Sequence, residues 1–375
     1  MYSRSNSLNI TAIRLDQGGC GYYRVTWPLY TLTERGHNVR IIQTAFNKRM
    51  SSHDLVCDVL IIQRQNDPVI YDIVDSIPES IRPVTVYEID DLNWKLPTSM
   101  GASPALAKDL LRTVPPMMER ADFVIASTPE LAEECRRYND RVSTVLNSID
   151  FHIRDWTAVH PPVDKIRGRK VIGWSGSGWH GGDLEVMGSA LRDVLLAHPG
   201  WCFVTQGDEP EIRKWLPRLK LPRQQVVILP WMNIDEHPSI YSLFDIGIAP
   251  LQSSEYNRCK SELKLMELGA AGVPYVASRV TPYSRFHRLS IGCGGFLASD
   301  KIDWASSLET LIRYPEVRKS MSGNGLDFTL ENYSMQSRAD EWEGVLNECR
   351  NSRQGFRPSV PGVPKEIGAV VCTSS

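Results

Sequence analysis

Short runs of aliphatic and β-branched residues alternate with longer amphipathic stretches through the first 150 positions. The runs at 39–43, 56–63, 84–89, 123–127 and 142–146 have the length and composition of buried strands. Between them, 24–35 and 129–138 carry helical spacing, and Gly36 stands where a C-terminal glycine cap belongs. This alternation predicts a parallel α/β sheet, forming a first domain over 1–150. A Pro-Pro pair and mixed polarity at 151–168 predict an interdomain connection. The rhythm then resumes, with strands expected at 170–174, 202–206, 226–229, 246–250 and 274–278 and helices near 183–197, 209–216, 261–271 and 303–313. A second domain over 169–334 follows. The amphipathic stretch 335–350 predicts a last helix able to cross back to the first domain. The Pro-, Gly- and Ser-rich remainder, 351–375, predicts a flexible tail.

Composition narrows the classes of function. A chain of 375 residues exceeds what one hydrophobic core usually supports, in keeping with two domains. Forty-two basic against 44 acidic side chains leave a formal charge of -2, which excludes a protein held to nucleic acid mainly by bulk charge. Eight scattered cysteines include no CxxC pair, so neither a disulfide framework nor a zinc ribbon is expected, and a reducing cytoplasm fits. The opening MYSRSNSLN has no signal-peptide core, and no later stretch approaches the ~20 apolar residues of a membrane span.

The most informative chemistry lies in NRCKSELKLMELGAAGVPYVAS, 257–278. Ser261 is placed to cap a helix that Gly272 ends before Pro274 opens a buried strand. A helix start flanked by lysines attracts phosphate: Lys260 precedes the cap, and Lys264 and Glu267 share one helix face. The same two side chains are also compatible with a plain solvated ion pair.

ELGAAGVPYVAS resembles the helix-to-strand element of retaining glycosyltransferases of family 4, matching it at Glu267, Gly272, Pro274, Ala277 and Ser278. The resemblance implies two Rossmann-like domains facing across a cleft, the GT-B arrangement. It also implies a hexosyltransferase-like transfer from a nucleotide sugar, UDP- or GDP-linked, with retention and without a metal. Glu267 would hold the ribose, and Ser261 with Glu262 the diphosphate. The family has a donor-sugar Glu eight positions before Glu267, where this chain has Cys259. GGCGYYR, with Gly18, Gly19, Gly21 and Tyr22, is similar to the acceptor-side glycine loop and follows a first strand. Asn147 and Asp150 match the turn that closes the first domain in the family, with Ser148 replacing a glycine.

In VYEIDDLNW a buried strand runs into Asp90 and Asp91, at the end of a parallel strand where open sheets place reacting groups. Family members often have His-Asp here, and Asp90 takes the His position. A hydrogen bond to donor sugar or acceptor is implied, while a helix cap or a metal ligand remain alternatives. Gly176, Ser177 and Gly178 form a turn whose backbone can approach a phosphate or sugar, and His180 is its one imidazole, read either as a loop residue or as part of the sugar site. In the family this loop often supplies a basic residue to the diphosphate; none lies between Trp174 and Asp183, so the resemblance implies that Lys260 and Lys264 carry that charge. Trp231 follows a strand and is placed either on the nucleobase or in the core. The acceptor stays open among a glycan, a lipid-linked sugar and a modified nucleic-acid base. A GT-B nucleotide-sugar epimerase and a non-catalytic nucleotide-sugar-binding protein are the competing functions.

Overall fold

The computed structural model describes residues 7–43, 51–97, 103–176, 178–207 and 209–354. The first half is a six-stranded parallel sheet of β1 (Asn9–Arg14), β2 (Asn38–Gln43), β3 (Val59–Gln63), β4 (Val84–Ile89), β5 (Phe123–Ala126) and β6 (Val142–Thr144), in the order β2-β1-β3-β4-β5-β6. The second half repeats the plan with β7 (Lys170–Ser175), β8 (Trp201–Gln206), β9 (Val226–Leu229), β10 (Ile246–Ala249), β11 (Tyr275–Ser278) and β12 (Gly295–Ala298), ordered β12-β11-β10-β7-β8-β9. Every residue of β3, β4, β5, β8, β10 and β11 is buried, as expected of strands covered on both faces, whereas edge strand β2 alternates with solvent. The first sheet is the five runs together with the first strand expected ahead of the glycine loop, and the second has one strand, β12, beyond the five read from the sequence. In each, the connections reverse direction next to the first strand, between β1 and β3 and between β7 and β10. Crevices at such switch points, outside the carboxyl ends of the strands, are where this architecture binds ligands.

The chain crosses between the halves twice, side by side. Ile149 donates its amide to the Tyr333 carbonyl at 2.7 Å, and Met335 returns one to Ile149 at 2.9 Å. The helix Met335–Gln354 then packs against Trp27–Glu34, putting Trp342, Leu346 and Cys349 into the first half's core beside Val25 and Leu29. It runs past the expected end at 350. Asn351–Gln354 contains no Pro or Gly, and Ser352 Oγ bonds back to the Cys349 carbonyl at 2.8 Å, so the part of the tail reading that covered 351–354 is corrected; 355–375 lie outside the described residues. Apolar packing is continuous across the seam. Tyr23, Trp27 and Trp156 share a cluster with second-half residues, and Tyr256 and Cys259 lie in the first half's core. All seven cysteines among the described residues are free. No helix among them is long and apolar enough to cross a membrane.

Candidate functional site

Glu267 lies in the helix Leu263–Ala270, which Gly272 ends at φ +63, a left-handed turn suited to glycine. The carboxylate is 3% exposed and fully partnered. Its Oε1 accepts from Tyr23 Oη at 2.9 Å, and its Oε2 from Tyr241 Oη at 2.8 Å and Lys264 Nζ at 3.0 Å. Burial alone would raise its pKa, but Lys264, His237 and the Tyr241 hydroxyl hold it down at about 2. The pair on one helix face expected from the sequence is therefore a buried site rather than a solvated one.

Tyr23 comes from the other half of the molecule. It sits in a π-helical segment, Tyr22–Thr26, that joins the glycine loop to the helix Trp27–Glu34. Such bulges aim side chains that a regular helix would turn elsewhere. Its hydroxyl also accepts from Arg154 at 2.8 Å; Arg154 grips Asp150 with two nitrogens at 2.8 Å each and lies between Trp27 and Trp156, 4.0 and 4.8 Å from their ring centroids. One polar chain, Asp150–Arg154–Tyr23–Glu267–Tyr241, thus ties the connection and both halves together.

A second cluster forms beyond β4. Asp91 accepts from Lys260 Nζ at 3.2 and 3.3 Å and from Tyr256 Oη at 3.2 Å, both across the cleft, and Lys260 stands 4.9 Å from the Tyr256 ring centroid. Burial works against the charged form of Asp91, yet Lys260 and Arg64 bring its pKa below the ordinary value, and Asp91 holds that of Lys260 well above. Its neighbour Asp90 pairs instead within its own half, with Arg64 at 3.1 Å. Arg64 follows β3 with φ +49, uncommon for a residue with a side chain, and this turn directs its guanidinium to Asp90. Further ion pairs line the seam: Lys95 with Glu255 and Glu134, Arg258 with Glu134, and Arg285 with Glu130 and Glu262.

The glycine loop is self-contained. Gly18 and Gly21 donate their amides to Asp16 Oδ1 at 2.7 and 3.2 Å, and a Cβ on Gly21 would lie 2.1 Å from the Asp16 carbonyl oxygen. Gln63 ties the loop to β3 through the Cys20 carbonyl, Gly19 opens the helical stretch, and Tyr22 packs beneath Arg14. In the second half, Gly176 follows β7 against the Trp174 ring and Gly178 opens a 3-10 run, Gly178–Met187; Ser177 lies outside the described residues. His180 pairs with Asp183 in that run. Trp231 is 57% exposed, while Met232 packs on the core.

The helix start differs from the expected Ser261 cap. The helix begins at Leu263 with Glu262 at its cap position and no side-chain cap, because Ser261 Oγ accepts from Asn147 Nδ2 at 2.9 Å instead. Glu262 is occupied too, accepting from Tyr333 Oη at 3.0 Å and pairing with Arg285. Cys259 is fully buried beside Cys135, with its carbonyl accepting from Thr128 Oγ1 at 2.8 Å, so it presents nothing to the cleft.

Sequence reasoning missed Tyr23, Arg64, Arg154 and the pair His237–Tyr241. Tyr23 adjoins the quoted Tyr22, and His237 and Tyr241 are four apart in HPSIYSL; Arg64 carries no local signal. His237 Nε2 lies 2.9 Å from Ser175 Oγ at the end of β7, and burial pushes its pKa down to about 4, which leaves the ring neutral. Among the described residues no three His, Cys, Asp or Glu side chains converge as metal ligands.

Residues 169–313 match the family described as glycosyl transferases group 1. The putative teichuronic acid biosynthesis glycosyltransferase TuaH of Bacillus subtilis (strain 168) is 26% identical over 219 residues, 54% of this chain and 52% of that protein. The match thus spans about half of that relative's length. Among solved structures, sucrose-phosphate synthase from Thermosynechococcus elongatus superimposes with TM-score 0.65 at 12% identity, covering 92% of this chain and 99% of the other. Anabaena HepE in complex with UDP-glucose gives 0.64 at 14%, covering 91% and 100%, and a glycosyltransferase from Rickettsia africae ESF-5 gives 0.63 at 13%, covering 92% and 99%. The fold is the two-sheet GT-B arrangement of such enzymes.

Proposed function

We propose that this chain transfers a sugar from a nucleotide-sugar donor to a hydroxyl acceptor, with retention at the anomeric carbon, without a divalent metal, and in the cytoplasm. The observation that carries the reading is Glu267, an ionised carboxylate beside the second sheet's switch point, whose partners are two phenol hydroxyls and an ammonium. A ribose offers hydroxyl donors of the same kind, and one of them takes the place of Tyr23. Lys264 and Lys260 flank that position and supply charge for a diphosphate. The match of 169–313 and the UDP-glucose bound by HepE support a UDP-sugar, with a GDP-sugar the nearest alternative.

In the reaction the C1–O bond to phosphate breaks with its electron pair on the phosphate oxygen. The acceptor oxygen bonds to C1 on the same face, and its proton passes to that phosphate oxygen. Negative charge grows on the leaving diphosphate, so Lys260 and Lys264 stabilise the transition state more than the ground state. To Asp90, which pairs with Arg64, this reading assigns the hydrogen bond from the donor sugar or the acceptor. Both Tyr23 and Asp91 must release their second-half partners for the donor to enter, which makes opening of the seam part of the cycle.

The test is nucleotide release from UDP-, GDP-, ADP- and CMP-sugars in EDTA, with glycan, lipid-linked sugar and hydroxymethylated DNA as acceptors, and the anomeric proton coupling of the product read by NMR. Transfer with retention is expected. An altered sugar without acceptor would identify an epimerase, and binding without release a non-catalytic protein.

A further inference from the structure

Arg24, next to Tyr23 in the π-helical segment, is paired in the core with Glu88 near the end of β4, both side chains being buried. The pair is made through one bond, Nε donating to Oε1 at 2.7 Å. The other two atoms of the same edges, Arg24 Nη2 and Glu88 Oε2, are buried and have no hydrogen-bond partner among the described residues. Arg154 and Asp150 show the complete form of this contact, with Nε and Nη2 donating to the two carboxylate oxygens at 2.8 Å each. Two parallel bonds between a guanidinium and a carboxylate are stronger than one, and a buried donor or acceptor without a partner is costly. The Arg24–Glu88 pair is held one bond short of that form.

The rest of the guanidinium is anchored. Nη1 donates to the Val145 carbonyl at 2.7 Å and to Asn147 Oδ1 at 3.0 Å, where the chain leaves β6, and Trp342 of the last helix has its ring centroid 5.3 Å from the guanidinium carbon. Asn147 in turn donates to Ser261 Oγ at 2.9 Å, just before the helix that carries Glu267. These contacts fix the Nη1 corner and leave the Nε–Nη2 edge as the part that can turn against Glu88. The backbone carrying that edge also carries Tyr23, whose hydroxyl reaches Glu267 at 2.9 Å across the seam. The side chain that must leave for a ribose to enter and the pair that is one bond short are therefore adjacent residues of one π-helical segment, an irregularity frequent at functional sites.

We propose that Arg24 is a positioning residue with two engagements of Glu88: one bond while Tyr23 occupies Glu267, and two once Tyr23 has released Glu267 to the donor ribose. The proposal rests on the nucleotide-sugar reading above. Forming the bond from Nη2 to Oε2 offsets the loss of the bond from Tyr23 to Glu267, so the pair favours the state in which the donor site is clear, and the donor selects that state.

The experiment is isothermal titration of UDP-glucose into wild type, Arg24→Lys and Glu88→Gln, each with and without Tyr23→Phe. Lysine keeps the charge of Arg24 without a second nitrogen, and glutamine keeps the size of Glu88 but leaves one acceptor where two are needed. With Tyr23 present, each substitution should weaken UDP-glucose binding by about tenfold, the size of one buried hydrogen bond to a charged group. In Tyr23→Phe no hydroxyl has to leave, and the same substitutions should change affinity by less than about twofold. A merely structural role would weaken binding equally in both backgrounds; that result, or no change in either, overturns the proposal. A crystal structure of the wild-type protein with UDP-glucose tests the same point without a variant. Arg24 Nη2 is expected about 2.7–2.9 Å from a Glu88 oxygen, with the Tyr23 hydroxyl away from Glu267. UDP-glucose bound with Nη2 still unpartnered overturns the proposal and leaves the donor site standing. Failure of UDP-, GDP- and ADP-glucose to bind wild type overturns the nucleotide-sugar reading and this proposal with it.

Discussion

Replacing Tyr23 by Phe should move stability and donor affinity in opposite directions. The hydroxyl joins two buried charged groups, donating to Glu267 at 2.9 Å and accepting from Arg154 at 2.8 Å. Hydrogen bonds to charged groups are worth about 1.5–3 kcal/mol each. Here both partners keep other contacts, Glu267 with Tyr241 and Lys264 and Arg154 with Asp150, so a net loss near the lower end is expected, about 2 kcal/mol. For domains of this size that corresponds to a melting temperature lower by about 4–8 °C in scanning calorimetry. The same hydroxyl competes with the ribose for Oε1. Its removal leaves that oxygen free before the donor arrives, and recovering about 1–2 kcal/mol should tighten UDP-glucose binding by about 5- to 30-fold in isothermal titration. A parallel drop in stability and affinity would refute the reasoning, because it would place the Tyr23 hydroxyl among the donor's own contacts. An unchanged affinity would show that Glu267 Oε1 is not where the ligand binds.

Other perturbations probe the remaining contacts. Lys260→Ala takes the main counter-charge from Asp91, a half-buried carboxylate that keeps its Tyr256 hydrogen bond, and should lower the urea midpoint together with most turnover; Asp91→Asn instead frees Lys260 and should tighten donor binding. Glu267 has a folded pKa of about 2, below its unfolded value of about 4.3, so its contribution is present above the unfolded pKa and is lost as pH falls through the folded one; Glu267→Gln should flatten stability against pH in that window. Arg154→Lys gives up the two-point grip on Asp150 and the contacts with Trp27 and Trp156, and a clear loss of stability should appear as a lower denaturation midpoint. Gly21→Ala forces a Cβ to within 2.1 Å of the Asp16 oxygen and should destabilise the loop that leads into Tyr23, seen as faster proteolysis there.

The strands that were legible are those with unbroken apolar runs, such as β4, whose six residues are all buried. Periodicity failed where the local signal was weak or contradictory. Strand β12 is only Gly-Phe-Leu-Ala after a glycine-rich turn, and the helix Pro104–Arg120 carries Pro115 and Pro116 in its interior, which argue against a helix until tertiary packing overrides them. The site divides the same way. Lys264 and Glu267 are three apart in one helix, so spacing alone places them together. Cys259 and Ser261 lie in the turn before that helix, where helical spacing says nothing, and the fold spends them on the core and on Asn147. Tyr23 is 244 residues from Glu267 and Lys260 is 169 from Asp91, contacts that only the facing of two sheets creates.

The most direct measurement is a thermal-shift comparison of wild type and Glu267→Ala with UDP-, GDP-, ADP- and CMP-sugars, with and without EDTA. A ligand at about 100 times its dissociation constant should stabilise the native state by about 2.7 kcal/mol. The account predicts a shift with one nucleotide class, unaffected by EDTA and absent in Glu267→Ala. An equal shift in Glu267→Ala, or none in wild type with any donor, would contradict it.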